Sequence, residues 1–164
     1  MARILLVGCG CRGRALARSL RDEGHAVRGT TRDPACTAAI EAAGAEPYVG
    51  DPDRIGTLTY ALDGVTVLCW LMASATGGPE RLAALHGPRL RMLLERTIDT
   101  TVRGVVYEAR GSAGPELLAS GRETVARACS YSEIPHAFLD ADPGDPDGWV
   151  DSARARIAEL LAPR

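Results

Sequence analysis

Gly8, Gly10 and Gly13 stand in the spacing Gly-x-Gly-x-x-Gly, directly behind the apolar run Ile4-Leu5-Leu6-Val7. Residues of this type in this order can cradle phosphate. A buried strand, a tight glycine turn and a helix N-terminus bring free backbone N–H groups and the positive end of a helix dipole to one point. Gly8 permits the turn, Gly10 lets a pyrophosphate approach a backbone without a Cβ, and Gly13 lets helix and strand pack closely. Cys11 and Arg12 lie inside the same loop. Arg12 could add a positive contact to phosphate; the alternative is that Arg12 and Arg14 are simply solvated. Cys11 sits at the helix start, where thiolates are favoured, so its oxidation could block the phosphate site. The plainer reading of Cys9 and Cys11 is that the loop needs small residues. For the loop as a whole, the alternative is a glycine-rich turn without a ligand.

The end of the second strand decides which nucleotide such a loop would take. Proteins that hold ribose hydroxyls through this fold place Asp or Glu there. Here the position is Thr31, with Thr30 before it and Arg32 after it, and no carboxylate follows until Asp33. Asp33 is committed to capping the next helix. A guanidinium can bind a 2′-phosphate and stack on adenine, with Thr31 adding hydrogen bonds, so the expected cofactor is NADP rather than NAD. Asp51, at the end of the third strand, could meet the adenine edge or cap a helix, and both readings stay open.

A third group could carry a reaction. Tyr107 and Glu108 end the fifth strand, with Arg110 and Ser112 behind them. Tyr107 could protonate a carbonyl as it is reduced, with Arg110 easing loss of the phenolic proton. The alternative is a half-buried tyrosine beside a solvated ion pair. Ser74 and Thr76, in the loop after the fourth strand, are placed to touch the nicotinamide end of a dinucleotide, and Leu71 leads into that loop. All 19 basic residues are arginine. The absence of lysine excludes Schiff-base chemistry, a P-loop lysine and a lysine-assisted tyrosine. His25, His86 and His136 lack metal-ligand spacing, so no metal site is expected.

These groups need a scaffold, and the chain alternates strand-like and helix-like stretches throughout. That alternation predicts an α/β fold, a three-layer doubly wound parallel sheet of about six strands. The expected strands are Arg3 to Val7, Ala26 to Thr31, Tyr48 to Val49, Val65 to Leu71, Gly104 to Glu108 and Ile134 to Leu139. Helices are expected from Cys11 to Glu23, Ala35 to Ala43, about Asp53 to Asp63, Pro79 to His86, Pro88 to Asp99, Pro115 to Cys129 and Asp147 to Leu161. Gly24, Gly44 and Gly64 stand where three of these should stop. Leu90, Leu93, Leu94 and Ile98 form an apolar stripe, either core or a surface that pairs two subunits. Right-handed crossovers predict strand order 3-2-1-4-5-6, with the glycine loop facing the loop from Leu71 to Gly78 across a crevice.

Length and composition set the outer bounds. The 164 residues suit one domain, 1–164, without a separate substrate domain. A net charge of -2 gives no basic surplus for nucleic acid. No apolar run approaches the ~20 residues of a membrane span, no signal peptide precedes the first strand, and the five cysteines suit reduced thiols. The expected location is the cytoplasm.

Residues 4 to 51 resemble the start of the atypical, extended-type short-chain dehydrogenase/reductase proteins, NAD(P)-binding Rossmann relatives of the nucleotide-sugar epimerases. The likeness rests on Val7-Gly8-Cys9-Gly10-Cys11-Arg12-Gly13-Arg14, Glu23-Gly24-His25-Ala26-Val27, Thr30-Thr31-Arg32 and Gly50-Asp51. It continues more loosely through Ala61-Leu62-Asp63-Gly64-Val65 to Arg103-Gly104-Val105-Val106-Tyr107. The resemblance implies an NADP-binding six-stranded fold but not the family's chemistry. The Tyr-x-x-x-Lys motif is missing, since Tyr131 is followed four positions later by Pro135. Two functions are therefore expected: an NADP(H)-dependent reductase of a small carbonyl-type substrate, its site completed by a second subunit in a homo-oligomer, or a non-catalytic NADP(H)-binding or redox-sensing module that regulates a protein partner.

Overall fold

The computed structural model describes residues 1–164. Its six parallel strands are β1 (Arg3–Val7), β2 (Ala26–Thr31), β3 (Glu46–Val49), β4 (Val67–Trp70), β5 (Gly104–Glu108) and β6 (His136–Leu139). They lie in the order β3-β2-β1-β4-β5-β6, as the alternation and the handedness of crossovers predict. The helices are α1 (Cys11–Asp22), α2 (Thr37–Ala42), α3 (Pro79–Leu85), α4 (Pro88–Arg96), α5 (Pro115–Ser132) and α6 (Pro146–Leu161).

Strand alternation divides the interior into two cores. Ile4, Leu6, Val67, Cys69 and Val106 face one layer, where they meet Leu16 and Leu20 of α1, Ile40 of α2, and Trp149 and Ile157 of α6. Leu5, Val7, Leu68, Trp70, Val105 and Tyr107 face the other, against Leu90 and Leu93 of α4 and Leu118 and Val125 of α5. Neighbours in sequence thus project to opposite sides of the sheet. The register pairs Val7 with Trp70 and Trp70 with Tyr107, which puts all three on the same face.

Several element bounds shift by one to three residues, with β3 starting at Glu46, β4 at Val67 and β6 at His136, and with α4 ending at Arg96 and α5 at Ser132; three places differ more. The stretch between Asp53 and Asp63 forms two 3-10 turns, Ile55–Leu58 and Tyr60–Leu62, instead of one α-helix. Thr57 explains part of this: its hydroxyl accepts the Asp51 N–H at 2.8 Å and donates to the Arg54 carbonyl at 2.7 Å, a local alternative to the helical ladder. The helix expected from Ala35 begins as a 3-10 turn, Pro34–Cys36, capped by the Asp33 carboxylate on the Ala35 N–H. Within the apolar stripe, Leu90, Leu93 and Leu94 are buried but Ile98 is half exposed. Ile98 lies past the end of α4, where the helical period no longer directs it inward. No helix is long and apolar enough to cross a membrane.

Candidate functional site

The carboxyl ends of β1 and β4 open into a crevice with two lobes that share Gly8, Gly10, Met72, Ser74 and Ala75. The wider lobe, about 360 Å³, extends over the end of β2. The narrower, about 270 Å³, extends over the end of β5. The two loops that the sequence set opposite each other do form its walls.

Two glycines of the loop are constrained by their neighbours, and the third opens onto free space. Gly8 has φ +95°, and a Cβ there would lie 2.5 Å from the Leu71 carbonyl oxygen. A Cβ on Gly13 would come within 3.1 Å of the Gly8 oxygen, so a side chain there would press α1 away from the strand turn. At Gly10 nothing lies within 4 Å, which leaves open space above the backbone. Gly10 is the N-cap of α1 and carries no capping side chain, so the first N–H groups of the helix have no intrahelical acceptor. The first turn holds no acidic residue; it holds Arg12 and Arg14 instead. Two cations at the positive end of a helix dipole repel that end unless an anion joins them.

The loop is bolted to β2 from below. The buried Thr30 hydroxyl accepts the Gly8 N–H at 3.2 Å, and the Cys9 N–H donates to the Thr30 carbonyl. Cys9 fills the space over Gly29, where a Cβ would meet its Sγ at 2.7 Å. Burial pushes the Cys9 thiol up to about 11, against a smaller opposing effect of Arg14. Cys11 is exposed, and its Sγ accepts from Arg14 at 3.3 Å.

In the wider lobe, Thr31 and Arg32 stand beside Arg14 and Arg81, and no carboxylate lines it. The Thr31 hydroxyl closes a local turn by accepting the Asp33 N–H at 3.1 Å. Arg32 is more than half exposed. Asp51 does not line the lobe; its carboxylate accepts the Asp53 N–H at 2.9 Å and so caps the turn after β3. Thr76 is on this side, with Arg32, whereas Ser74 borders both lobes. The sequence reading missed Arg81, which nothing near it in the chain marks as part of a site.

The narrower lobe is lined by Cys11, Arg12, Gly13 and Leu71 on one side, and by Glu108 and Trp149 on the other. Glu108 is buried, with Oε1 accepting the Ala73 N–H at 3.0 Å and Oε2 accepting the Trp149 Nε1–H at 2.9 Å. Burial raises its pKa above the ordinary carboxylate value, opposed by these two hydrogen bonds and by the Arg12 charge. The Arg12 guanidinium lies over the Trp149 ring, 5.6 Å from its centre, and its buried Nε has no hydrogen-bond partner.

Tyr107 projects the opposite way. It is fully buried, and its hydroxyl lies 2.7 Å from Nδ1 of the buried His86, whose Nε2 reaches the Met72 carbonyl at 3.1 Å. A carbonyl can only accept, so Nε2 carries the hydrogen and the Tyr107 hydroxyl donates to Nδ1. Burial raises the Tyr107 pKa and lowers that of His86. Tyr107 lines neither lobe; through His86 it instead supports the Met72 end of the crevice loop. Arg110 is exposed behind the strand. The remaining histidines lie elsewhere, His25 against the Ala2 N–H and His136 beside Phe138, and no cluster of metal-ligating side chains forms.

No family model and no curated protein matches the chain. Its structural neighbours are epimerase/dehydratase and short-chain dehydrogenase/reductase proteins. One is a short-chain dehydrogenase/reductase superfamily protein of Agrobacterium tumefaciens with bound NAD, at TM-score 0.68 and 23% identity, covering 97% of this chain and 61% of that one. Another is the UDP-glucose 4-epimerase of Thermotoga maritima, at 0.71 and 16%, covering 84% and 54%. A third is the triphenylmethane reductase of Citrobacter sp. complexed with NADP(H), at 0.63 and 20%, covering 83% and 48%. The chain spans about half to three fifths of the length of these proteins. At these identities the likeness establishes a shared Rossmann fold.

Proposed function

We propose that the chain binds NADP(H) along its crevice and reduces a small carbonyl compound there. One observation carries the cofactor half: Arg14, Arg32 and Arg81 line the lobe over β2, and that strand ends at Thr31, with Arg32 next, instead of at a carboxylate that would receive ribose hydroxyls. Gly8, Gly10, Cys11 and Gly13 would hold the diphosphate with Arg12 beside it. Arg32, with Thr31, would hold the 2′-phosphate, Leu71 would border the nicotinamide half, and Asp51 would act through the turn that it caps. The neighbours' own cofactors, NAD in one and NADP(H) in another, support a nicotinamide nucleotide.

When bound, the reduced nicotinamide supplies hydride to the carbonyl carbon. The proton for the carbonyl oxygen is assigned to Glu108 instead of Tyr107. Glu108 is at the lobe over β5, and burial favours its protonated form. Tyr107 keeps its hydroxyl on His86. That engagement, together with the absence of lysine, also favours a second reading, in which nucleotide binding regulates a protein partner and no substrate is turned over.

Thermal unfolding with NADPH, NADH, FAD and S-adenosylmethionine in parallel tests the cofactor. NADPH at about a hundred times its dissociation constant adds roughly 2.7 kcal/mol, a rise in Tm of roughly 5–10 °C for a domain of this size. Equal shifts with NADH would refute the NADP preference. No shift with any of the four would refute dinucleotide binding.

A further inference from the structure

Arg81, the third residue of α3, reaches across the wider lobe to the turn after β3. Its Nε donates to Asp53 Oδ2 at 2.7 Å, and its Nη1 donates to the Thr76 carbonyl. Arg32 approaches the same Asp53 oxygen from the end of β2, at 3.8 Å. One carboxylate oxygen thus faces two guanidiniums, one from α3 and one from the end of β2, and both arginines line the lobe.

The arrangement is built rather than incidental. Asp53 is fixed by its N–H on the Asp51 carboxylate. Gly77, at φ +139°, gives Arg81 the room to fold back, because a Cβ there would lie 2.8 Å from Arg81 Cδ. About three quarters of the surface of both the Arg81 and Asp53 side chains is shielded from solvent. A singly charged carboxylate serves two guanidiniums less well than a phosphate, which carries nearly twice the charge and three acceptor oxygens.

We propose that Arg81 and Asp53 form an exchangeable clasp, in which the 2′-phosphate of a nucleotide takes the place of the Asp53 carboxylate on Arg81 and Arg32. The inference rests on the NADP(H) reading and adds to it a specificity-determining residue, Arg81, and an internal competitor, Asp53. Asp53 then weakens every 2′-phosphorylated ligand by occupying its cations and leaves ligands without that phosphate unaffected.

The test is equilibrium binding of adenosine 2′,5′-bisphosphate and adenosine 5′-monophosphate, which differ only in the 2′-phosphate. Wild type, Arg81→Gln and Asp53→Asn are compared by calorimetry at low salt. Arg81→Gln is expected to weaken the bisphosphate roughly tenfold, the loss typical of one charged hydrogen-bonding partner, and to leave the monophosphate unchanged. Asp53→Asn is expected to tighten the bisphosphate several-fold, again without effect on the monophosphate. A damaged fold does not bind one ligand more tightly, so the two variants protect each other's interpretation. If wild type prefers the bisphosphate but Arg81→Gln changes neither ligand, or weakens both alike, Arg81 is a structural tether; the clasp is wrong and the NADP(H) reading stands. If wild type binds both ligands equally or neither, the reading beneath the clasp fails with it.

Discussion

Gly121 is the seventh residue of α5, and replacing it by alanine has an expected sign that depends on where Tyr107 lies. In an ordinary helix interior, Gly→Ala stabilises by about 1 kcal/mol because it lowers the backbone entropy lost on folding. Here a Cβ would stand 1.8 Å from the Tyr107 hydroxyl oxygen and 2.4 Å from Cζ. The ring must move, which costs about 1–3 kcal/mol as overpacking, and its hydrogen bond to His86 is disturbed at about 1 kcal/mol more. Together these outweigh the propensity gain, so Gly121→Ala should destabilise by about 1–3 kcal/mol. Urea unfolding reads this as a lower midpoint at unchanged slope. In a Tyr107→Leu background the clash is gone, and the same substitution should become neutral or stabilising. If Gly121→Ala stabilises the otherwise wild-type protein, the phenol is not beneath α5 and is available to the crevice after all.

Gly10→Val should lower the apo Tm only modestly, as a poorer N-cap whose Cβ meets nothing within 4 Å, yet abolish the NADPH-induced rise by filling the space above the loop. Gly8→Ala should do the reverse first, lowering the apo Tm by an amount corresponding to about 2 kcal/mol through its positive φ and its 2.5 Å approach to Leu71. The burial of Glu108 sets a pH dependence. Its folded pKa is raised, so its contribution to stability is full below the ordinary carboxylate pKa and is lost as pH rises through the folded value. Glu108→Gln removes that dependence and sets an amide N–H2 against one of the two donors, Ala73 or Trp149. The variant should therefore be less stable than wild type by chemical denaturation, and by a larger margin at pH 4.5 than at pH 8. A margin that does not change with pH would mean that Glu108 titrates normally.

Much of this fold was legible because its signals are local. Gly24 and Gly44 end helices with φ +91° and +83°, a conformation that glycine adopts without a Cβ penalty, and Asp33-Pro34 caps where its chemistry says it should. Gly64, at φ +69°, also ends its segment, but the segment before it is two 3-10 turns. Its β-branched Ile55, Thr57 and Thr59 have weak helix propensity, and the burial of Ile55, Leu58 and Leu62 is satisfied without a full helix. Arg28 was silent in the sequence. On β2 its buried guanidinium reaches Glu46 of the neighbouring strand and the carbonyls of Ala61 and Asp63, partners far apart in the chain.

The sequence by itself determined the glycine loop, the strand order, the two loops that wall the crevice and the arginine after β2, because each follows from backbone sterics, period-two patterning or short-range capping. It also contained, unused, the parity that separates Tyr107 from Glu108: adjacent residues on one strand face opposite layers. Which layer each faces was decided only by register, through Val7 to Trp70 to Tyr107, and by Trp149 arriving from α6 to hold Glu108. Arg81 meeting Asp53 was decided the same way, across 28 residues of chain. Hydrogen bonds and charges act over a few ångströms in space and carry no record in local sequence of the partner that folding will bring to them.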